Sequence, residues 1–191
     1  MAVGRYTAVL DACVLYPAPV RDLLLSLAHA GLYHARWSSD IEAEWVRNVL
    51  ANRPDLTAPQ LARTCALMAK AIPDCFVENY RPEIESLILP DADDRHVLAA
   101  AIVGRADAIV TFNLKDFPKP AMQQYNLVAI HPDDFIADQL ELRPFDALAA
   151  VKTMRARLKN PPLSSAELIA LLERIGLPQT ATALRPAESL I

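Results

Sequence analysis

The sequence has few cysteines and no excess of positive charge. Its 191 residues include three cysteines, Cys13, Cys65 and Cys75, and no two of them form a CxxC pair. An odd number of scattered thiols argues against a disulfide framework and a cysteine-based zinc site, and it fits a reducing cytoplasm. The formal net charge is −4, so a polyanion would have to be bound through a local basic patch or through bound cations.

Long uncharged apolar segments and histidines with metal-ligand spacing are also missing from the sequence. No apolar segment reaches the length of a membrane-spanning helix without a charge, so we expect a soluble, cytoplasmic protein without membrane contact. An apolar run follows Arg5, but Asp11 interrupts it and no clear signal-peptide cleavage pattern comes after it. The four histidines are scattered, which favours structural or surface roles.

Apolar periodicity predicts helices and strands that alternate along most of the chain. A composition of 53% hydrophobic and 22% charged residues suits one globular domain with a sizeable core and a small appendage. The alternation indicates an α/β fold with a mostly parallel sheet covered on both faces. Predicted helices cover 21–32, a segment after residue 38, 58–71, 93–105 and a segment opened by Pro132; predicted strands cover 75–80, 108–111 and the segment before Pro132.

The last quarter of the chain has a different pattern. From about Phe145 onward the periodicity is helical throughout, and Ser164 with Glu167 has the spacing of a capping box at a helix start. We therefore predict two parts, an α/β domain over residues 1–142 and a helical C-terminal extension over residues 143–191.

The stretch TAVLDACVLYP, residues 7–17, contains an acid in a segment that has the composition of a buried strand. An ionised carboxylate without partners is costly to bury, so Asp11 requires hydrogen bonds or a cation. The alternative is that Asp11 lies just past the strand end and caps the next turn.

Two acids on the second predicted helix receive different interpretations. Glu44 shares a helix face with the apolar Ile41 and Trp45, which places it on the core side. Glu42 lies off that face and has capping-box spacing from Ser39, so we expect a structural role for it.

Two further acids mark the region from residue 91 to residue 116. Asp94 heads the apolar face of the predicted helix, whereas Asp93 is offset from that face and is expected to be the N-cap, and Asp91 a turn residue. Asp116 follows the strand Ala108–Thr111 in the loop FNLKDF, at the strand end where open α/β sheets build their sites.

These acids together predict a divalent-metal site. Asp11, Glu44, Asp94 and Asp116 would form a carboxylate-rich pocket, and like charges close together require a cation. Hard oxygen ligands suit Mg²⁺ or Mn²⁺. Such an ion lowers the pKa of a bound water and neutralises charge at a phosphodiester, which indicates metal-dependent hydrolysis.

Four ordered segments resemble the PIN-domain family of metal-dependent ribonucleases, and within it the VapC-type toxins of bacterial toxin–antitoxin pairs. The segments are VLDACVL, SSDIEAEW, DADDRHVLAAAIVGRADAIVTFN and LKDF, and the resemblance covers about residues 6–140. It implies a PIN-like three-layer α/β/α fold, an endoribonuclease that hydrolyses RNA phosphodiester bonds with Mg²⁺ or Mn²⁺, a homodimer and a cognate antitoxin. The helical tail is similar to the C-terminal extension of a subset of these toxins.

The resemblance also implies roles for particular residues. Carried over by position, the four catalytic acids are those isolated above, and the metal ligands are Asp11, Asp94 and Asp116. Asp93, Thr111 and Asn113 are candidate accessory residues, with Thr111 supporting Asn113 by a hydrogen bond. The doubled acid at 93 and 94 leaves open which of the two contacts the metal.

Basic residues offer several candidate RNA contacts. Arg95 and Lys115 are the nominated pair, while Arg36 and Arg47 also lie near the acids in the sequence. Lys152, Arg155 and Lys159 are predicted to share a helix face, which favours a solvated surface over a phosphate-binding one.

Two other functions compete with the nuclease interpretation. A catalytically silent PIN-like module that binds RNA or protein would lack one or more of the acids, and this chain has all four. A Mg²⁺-dependent phosphatase of the haloacid-dehalogenase type would need a second acid two residues after the first, where this chain has Cys13.

Overall fold

The computed structural model describes residues 6–191, and these residues contain a four-stranded parallel sheet. Neighbouring strands are in register, with Ala8 opposite both Ala35 and Ala108. The parallel α/β fold that the alternating pattern predicts is confirmed. The strands are β1 (Thr7–Leu10), β2 (His34–Arg36), β3 (Ala108–Val110) and β4 (Val128–Ile130), in the spatial order β2-β1-β3-β4.

The helices of the described residues alternate with these strands and then continue alone. Short 3₁₀ turns cover Arg81–Ser86, Leu114–Asp116 and Arg185–Leu190. The helices are α1 (Ala12–Leu15), α2 (Ala18–His29), α3 (Ser39–Asn52), α4 (Ala58–Ala71), α5 (Arg95–Val103), α6 (Lys119–Gln123), α7 (Pro132–Leu142), α8 (Pro144–Arg157), α9 (Ser165–Arg174) and α10 (Pro178–Leu184).

The strand order changes direction beside β1. The chain runs from β1 to β2 on one side and then crosses to β3 on the other side of β1. In open α/β sheets, ligands bind outside the carboxyl ends of the strands at such a switch point. Asp11 directly follows β1 and Thr111 directly follows β3, so the fold brings both residues to this edge of the sheet.

Two compact units make up the chain, and the sheet belongs to the first. Within the described residues, this unit comprises residues 6–17 and 33–131. Helix α5 packs on β1 and β3. Its residues Val97 to Ala101 are fully buried, because a run of alanines lets the helix backbone approach the sheet closely. Burying this face fixes where α5 begins, and with it the position of Asp94.

Two local predictions in this unit are wrong. The segment 75–80 forms only an isolated bridge between Phe76 and Trp37, and the left-handed backbone of Asn79 (φ 59°) interrupts any longer strand. The N-cap of α3 is Ser38, whose Oγ accepts the N–H of Ile41 at 3.2 Å. The predicted capping box from Ser39 to Glu42 is therefore absent.

The buried run that begins the chain is not one continuous strand. Strand β1 ends at Leu10, and the following residues turn into α1. Asp11 holds an extended backbone (φ −69°, ψ 156°) at the N-cap position of α1, yet its side chain makes no capping hydrogen bond. The alternative that places Asp11 just past the strand end is correct for the backbone, whereas its capping role is not.

The second unit comprises residues 18–32 and 132–191. The helical tail is confirmed, and so is the capping box in which Ser164 Oγ accepts from Glu167 N–H. The buried Asp133 accepts the N–H groups of Gln179 and Thr180, each at 2.8 Å, and so caps α10 from a distant helix. The division into parts 1–142 and 143–191 stays a prediction.

The predicted basic helix face does not form. Helix α8 ends at Arg157, so Lys159 lies beyond it. Arg155 donates to the carbonyl of Leu163 at 2.9 Å, and Arg157 donates to Ser26 Oγ at 2.6 Å. These contacts give two of the cations structural roles in the second unit. None of the helices within residues 6–191 is long and apolar enough to cross a lipid bilayer.

Candidate active site

Asp11 is a buried acid held by side chains rather than by a helix terminus. It is 3% exposed. Its Oδ2 accepts a hydrogen bond from Thr111 Oγ1 at 2.7 Å and another from the Cys13 thiol at 3.0 Å. Burial raises the pKa of Asp11, the two hydrogen bonds oppose that shift, and the charge of Glu44 adds to it. A cation would relieve this cost.

Cys13 belongs to the same network, although no functional role was predicted for it. Its Sγ lies 3.3 Å from Thr111 Oγ1 and accepts the N–H of Phe112 at 3.3 Å. Burial, followed by the charge of Asp11, raises the pKa of the Cys13 thiol to about 12. The thiol therefore stays protonated and donates to Asp11. The spacing Asp-x-Cys at the start of α1 is the signal that could have identified it.

Thr111 links the ends of β1 and β3. Its hydroxyl donates to Asp11 and accepts the backbone N–H of Asn113 at 2.9 Å, so the predicted hydrogen bond to Asn113 is present through the main chain. Thr111 is fully buried, whereas Asn113 is exposed. The candidate accessory residues therefore differ: one is fixed within the core and the other faces solvent.

Asp94 is a half-buried acid at the start of α5. It is the N-cap residue of α5, but its side chain makes no capping bond. Its pKa is raised to about 7, first by burial and then by the charges of Asp11, Asp116, Asp91 and Glu44. The charges that act on Asp94 come from separate elements of the fold: Asp11 follows β1, Glu44 lies on α3 and Asp116 ends the turn after β3. That the four acids form one site stays a prediction.

The two acids that precede Asp94 have different positions. Asp93 is exposed and is not the N-cap, so that prediction is wrong; Asp94 holds the N-cap position because α5 begins at Arg95. The backbone N–H of Asp93 donates to Asp91 Oδ1 at 2.9 Å. Asp91 is therefore the predicted turn residue, and it also contributes charge at Asp94.

Glu44 and Glu42 have separate surroundings. Glu44 on α3 is half-buried, and its Oε2 lies 3.2 Å from His96 Nε2 on α5. Glu42 accepts a hydrogen bond from Trp37 Nε1 at 3.3 Å, and burial raises its pKa. Glu42 is thus engaged away from the cluster, although through Trp37 rather than through a capping box.

Asp116 completes the cluster from the segment after β3. The residue is half-buried and ends the 3₁₀ turn Leu114–Asp116. Its backbone N–H donates to the carbonyl of Asn113 at 3.0 Å, which closes this turn. The charge of Asp116 contributes to raising the pKa of Asp94.

The donor chemistry of the cluster fits Mg²⁺ or Mn²⁺. Its members are carboxylates, and their mutual repulsion, seen in the raised pKa of Asp94, is what a cation would relieve. Within residues 6–191, no group of three or more His, Cys, Asp or Glu side chains is arranged to hold a metal ion on its own. Mg²⁺ commonly keeps several waters and takes only one or two carboxylates from the protein. The residues therefore suit an ion that retains much of its hydration.

A cavity of about 440 Å³ opens beside the cluster. Its lining includes Glu44 and Asp94 from the cluster and one cation, Arg47, which is exposed. Within the described residues Arg47 makes no hydrogen bond or ion pair. The remaining lining residues are Asp40, Ala43, Asp93 and His96.

The other cations nominated from the sequence have different surroundings. Arg36 donates to the carbonyls of Gly104 (3.1 Å) and Phe76 (2.9 Å), so it is structural. Arg95 is half-buried, and its Nε finds no partner in the part of the chain that the structure describes. Lys115 is exposed in the loop before Asp116.

Comparison with known families matches the region that carries these acids. The model of the PIN domain family matches residues 7–115, which is more than half of the chain. The chain belongs to the PIN-domain family. This confirms the predicted family and the three-layer α/β/α fold class. In this PIN-domain protein, a second family model, the VapC50 C-terminal domain, matches residues 132–186.

A curated relative carries the same name as the second family model. The Mycobacterium tuberculosis protein named "Putative ribonuclease VapC50" is 45% identical over 93 residues, which is 48% of this chain and 54% of the relative. The match thus spans about half the length of that protein. No solved structure matches the chain significantly. The relative and the second family model support the VapC-type assignment of this PIN domain.

Proposed function

We propose that this PIN-domain protein is an endoribonuclease that depends on Mg²⁺ or Mn²⁺ and acts as the toxin of a toxin–antitoxin pair. The observation that carries the proposal is the buried Asp11 at the switch point of the sheet, to which Thr111 and Cys13 donate hydrogen bonds. The charges of Asp11, Glu44 and Asp116 acting on Asp94 support it. The relative's name, a ribonuclease, supports the same activity.

The acids have separate tasks in this proposal. Asp11, Asp94 and Asp116 would hold the ion, one or two of them directly and the rest through its bound waters. Asp11 is the most firmly fixed of them because Thr111 and Cys13 donate to it. Glu44 would orient the attacking water at the mouth of the adjoining cavity. A bound ion would supply Lewis-acid chemistry: it lowers the pKa of water and offsets the charge that develops on the phosphate.

The cavity beside the cluster supports binding of an RNA phosphate. Arg47 lines it one helical turn after Glu44, and its guanidinium keeps its donors free of the described residues. Guanidinium groups suit phosphate because they donate in a planar fork. We therefore infer that Arg47 joins the nominated Lys115 and Arg95 as an RNA contact, and that it is the foremost of the three.

The biological context of the proposal follows from the family. A toxin of this type would be bound by a cognate antitoxin, would form a homodimer and would work in the cytoplasm. The match of residues 132–186 to the VapC50 C-terminal domain supports a chain of two parts, a PIN domain and a helical C-terminal extension.

RNA cleavage by the purified protein tests the proposal. With Mn²⁺, the wild type is expected to cut RNA internally, and Asp11→Asn to lose that activity while remaining folded, because it removes a ligand charge but little volume. Asp138→Asn on the exposed surface of α7 is the matched control and should cut like the wild type. Equal cleavage by a folded Asp11→Asn protein would contradict the proposal.

The same experiment separates the alternatives. A silent PIN-like module would bind RNA without cutting it, with or without Mn²⁺. A phosphatase would release phosphate from monoesters and leave internal phosphodiester bonds intact. Mapping RNA ends after brief expression of the wild type and Asp11→Asn would identify the RNA that is cut.

A further inference from the structure

A histidine on α5 contacts the acid on α3 at the edge of the cavity. His96 Nε2 lies 3.2 Å from Glu44 Oε2, and the two side chains are 16% and 32% exposed. The contact joins the helix that begins at Asp94 to the helix that carries Glu44. It is therefore a direct connection between two of the elements that supply the acids.

The two ring nitrogens of His96 have different surroundings. Nδ1 is buried and has no hydrogen-bond partner within residues 6–191. A carboxylate oxygen accepts hydrogen bonds, so the nitrogen that contacts it is the donor. The geometry thus makes His96 Nε2 the donor to Glu44.

This donor restricts the Glu44 carboxylate. One of its oxygens is engaged by His96, while the charge of Glu44 acts on both Asp11 and Asp94. Groups that donate to a ligating or catalytic carboxylate fix its orientation, and their loss commonly weakens metal affinity or activity.

We propose that His96 is a positioning residue, which holds Glu44 in the orientation that the acid cluster requires. The inference rests on the proposed nuclease function. From the sequence, His96 was expected to be structural or at the surface. The spacing Asp94-x-His96 at the start of α5 is the sequence feature that could have indicated a role beside the acids.

Two substitutions of His96 that differ in reach test the proposal. The amide nitrogen of His96→Gln lies at nearly the same distance from the backbone as Nε2, whereas that of His96→Asn is too short to reach Glu44. We expect His96→Asn to lose roughly 10- to 100-fold in Mn²⁺ affinity or in kcat, and His96→Gln to recover most of that loss. Calorimetry measures the affinity, and steady-state RNA cleavage separates kcat from KM.

A double-mutant cycle shows whether His96 acts through Glu44. If it does, adding His96→Asn to Glu44→Gln lowers Mn²⁺ affinity little beyond Glu44→Gln alone, since the two losses of affinity are not additive. His34→Asn at the opposite, amino-terminal end of the sheet is the matched control and should behave like the wild type. Thermal unfolding confirms that each variant is folded.

Each outcome decides the proposal. The proposal would be overturned if the losses add in the double variant or if His96→Asn behaves like the wild type. It would also be overturned if His96→Gln is as impaired as His96→Asn. If the wild type binds Mn²⁺ but cuts no RNA, the nuclease function fails and Mn²⁺ affinity still decides the role of His96. A wild type that neither binds Mn²⁺ nor cuts RNA would overturn both.

Discussion

Thr111 donates a 2.7 Å hydrogen bond to Asp11 across 100 positions of sequence. The two residues follow neighbouring parallel strands, β1 and β3, whose pairing extends to Leu10 and Val110. The bond therefore exists only because the sheet forms in this order. It compensates part of the cost of burying the Asp11 carboxylate at the centre of the proposed active site.

Removing the Thr111 hydroxyl should impair both stability and activity. Thr111→Val leaves the buried Asp11 with one donor fewer and the Asn113 N–H without its acceptor, which costs about 1–3 kcal/mol per unpaired group. Cleavage should fall by roughly 10- to 100-fold. Thr111→Ser keeps the hydroxyl and should retain most of both properties. Chemical denaturation and RNA cleavage measure the two effects, and equal behaviour of Val and Ser variants would refute the role of the hydroxyl.

Glu42 and Glu44 provide a matched pair on one helix. Glu44→Gln should abolish Mn²⁺-dependent cleavage, because it removes a charge from the acid cluster. Glu42→Gln should keep activity, since Glu42 contacts Trp37 away from that cluster. Both substitutions preserve side-chain volume, so thermal unfolding should differ little between them. Loss of activity in Glu42→Gln with retention in Glu44→Gln would reverse the assignment.

Stability of the metal-free protein should decrease as the pH rises through the range from about 4 to about 7. The pKa of Asp94 is raised from 3.8 to about 7 in the folded protein, so the folded state binds more protons than the unfolded state in this interval. Below this pH interval Asp94 is protonated in both the folded and the unfolded state. Above it Asp94 is charged in both states, and the full cost of holding that charge in the folded protein is present. Asp94→Asn removes this dependence.

Thermal unfolding of the wild type and Asp94→Asn in a chelator isolates this effect from other acids. As the pH rises from about 5 to about 7.5, the Tm of the wild type should fall relative to that of Asp94→Asn. Added Mn²⁺ should raise the wild-type Tm most at the upper end of this range, because bound ligand stabilises the folded state. A wild-type Tm that does not change when Mn²⁺ is added would argue against an ion at this cluster.

Arg47→Ala should weaken RNA binding without displacing the acids. Each cation that contacts phosphate contributes about −0.7 to the slope of log affinity against log salt for single strands. The variant should lose affinity and about that much slope, whereas Arg63→Ala on the exposed surface of α4 should lose neither. Binding is measured with Asp11→Asn protein so that the RNA stays intact. Identical slopes for all three proteins would exclude Arg47 from the interface.

Gly104→Ala should destabilise the first unit. A Cβ at this position would lie 2.7 Å from the Ala100 carbonyl oxygen and 2.9 Å from Val77 Cγ2. Such overpacking typically costs about 1–3 kcal/mol. Val77→Ala in the same protein should restore only part of the loss, because the contact with the Ala100 carbonyl remains. Denaturant unfolding measures this, and an unchanged midpoint would contradict the close approach.

Several features were predictable because they depend on local sequence patterns. The period of apolar residues predicted α4 over 58–71 and the helical tail, and the alternation of strands and helices predicted the parallel sheet. The face of α3 predicted that Glu44 and Glu42 have different surroundings, and they contact His96 and Trp37, respectively. These predictions succeed because periodicity alone decides which side of a helix or strand is buried.

Other features depended on contacts between distant segments. Ser38 rather than Ser39 caps α3, Asp94 rather than Asp93 holds the N-cap position of α5, and the segment 75–80 forms only a bridge. Boundaries of this kind are set by how neighbouring elements pack and pair, so adjacent residues of similar chemistry are not distinguished by their own sequence.

The sequence by itself determined the family and the alternation of strands and helices, and it nominated the acids, because residue type and spacing carry that information. Only the tertiary structure decided which groups surround those acids. Cys13 and Thr111 donate to Asp11, and His96 contacts Glu44, because parallel strands and packed helices bring distant side chains within hydrogen-bond distance.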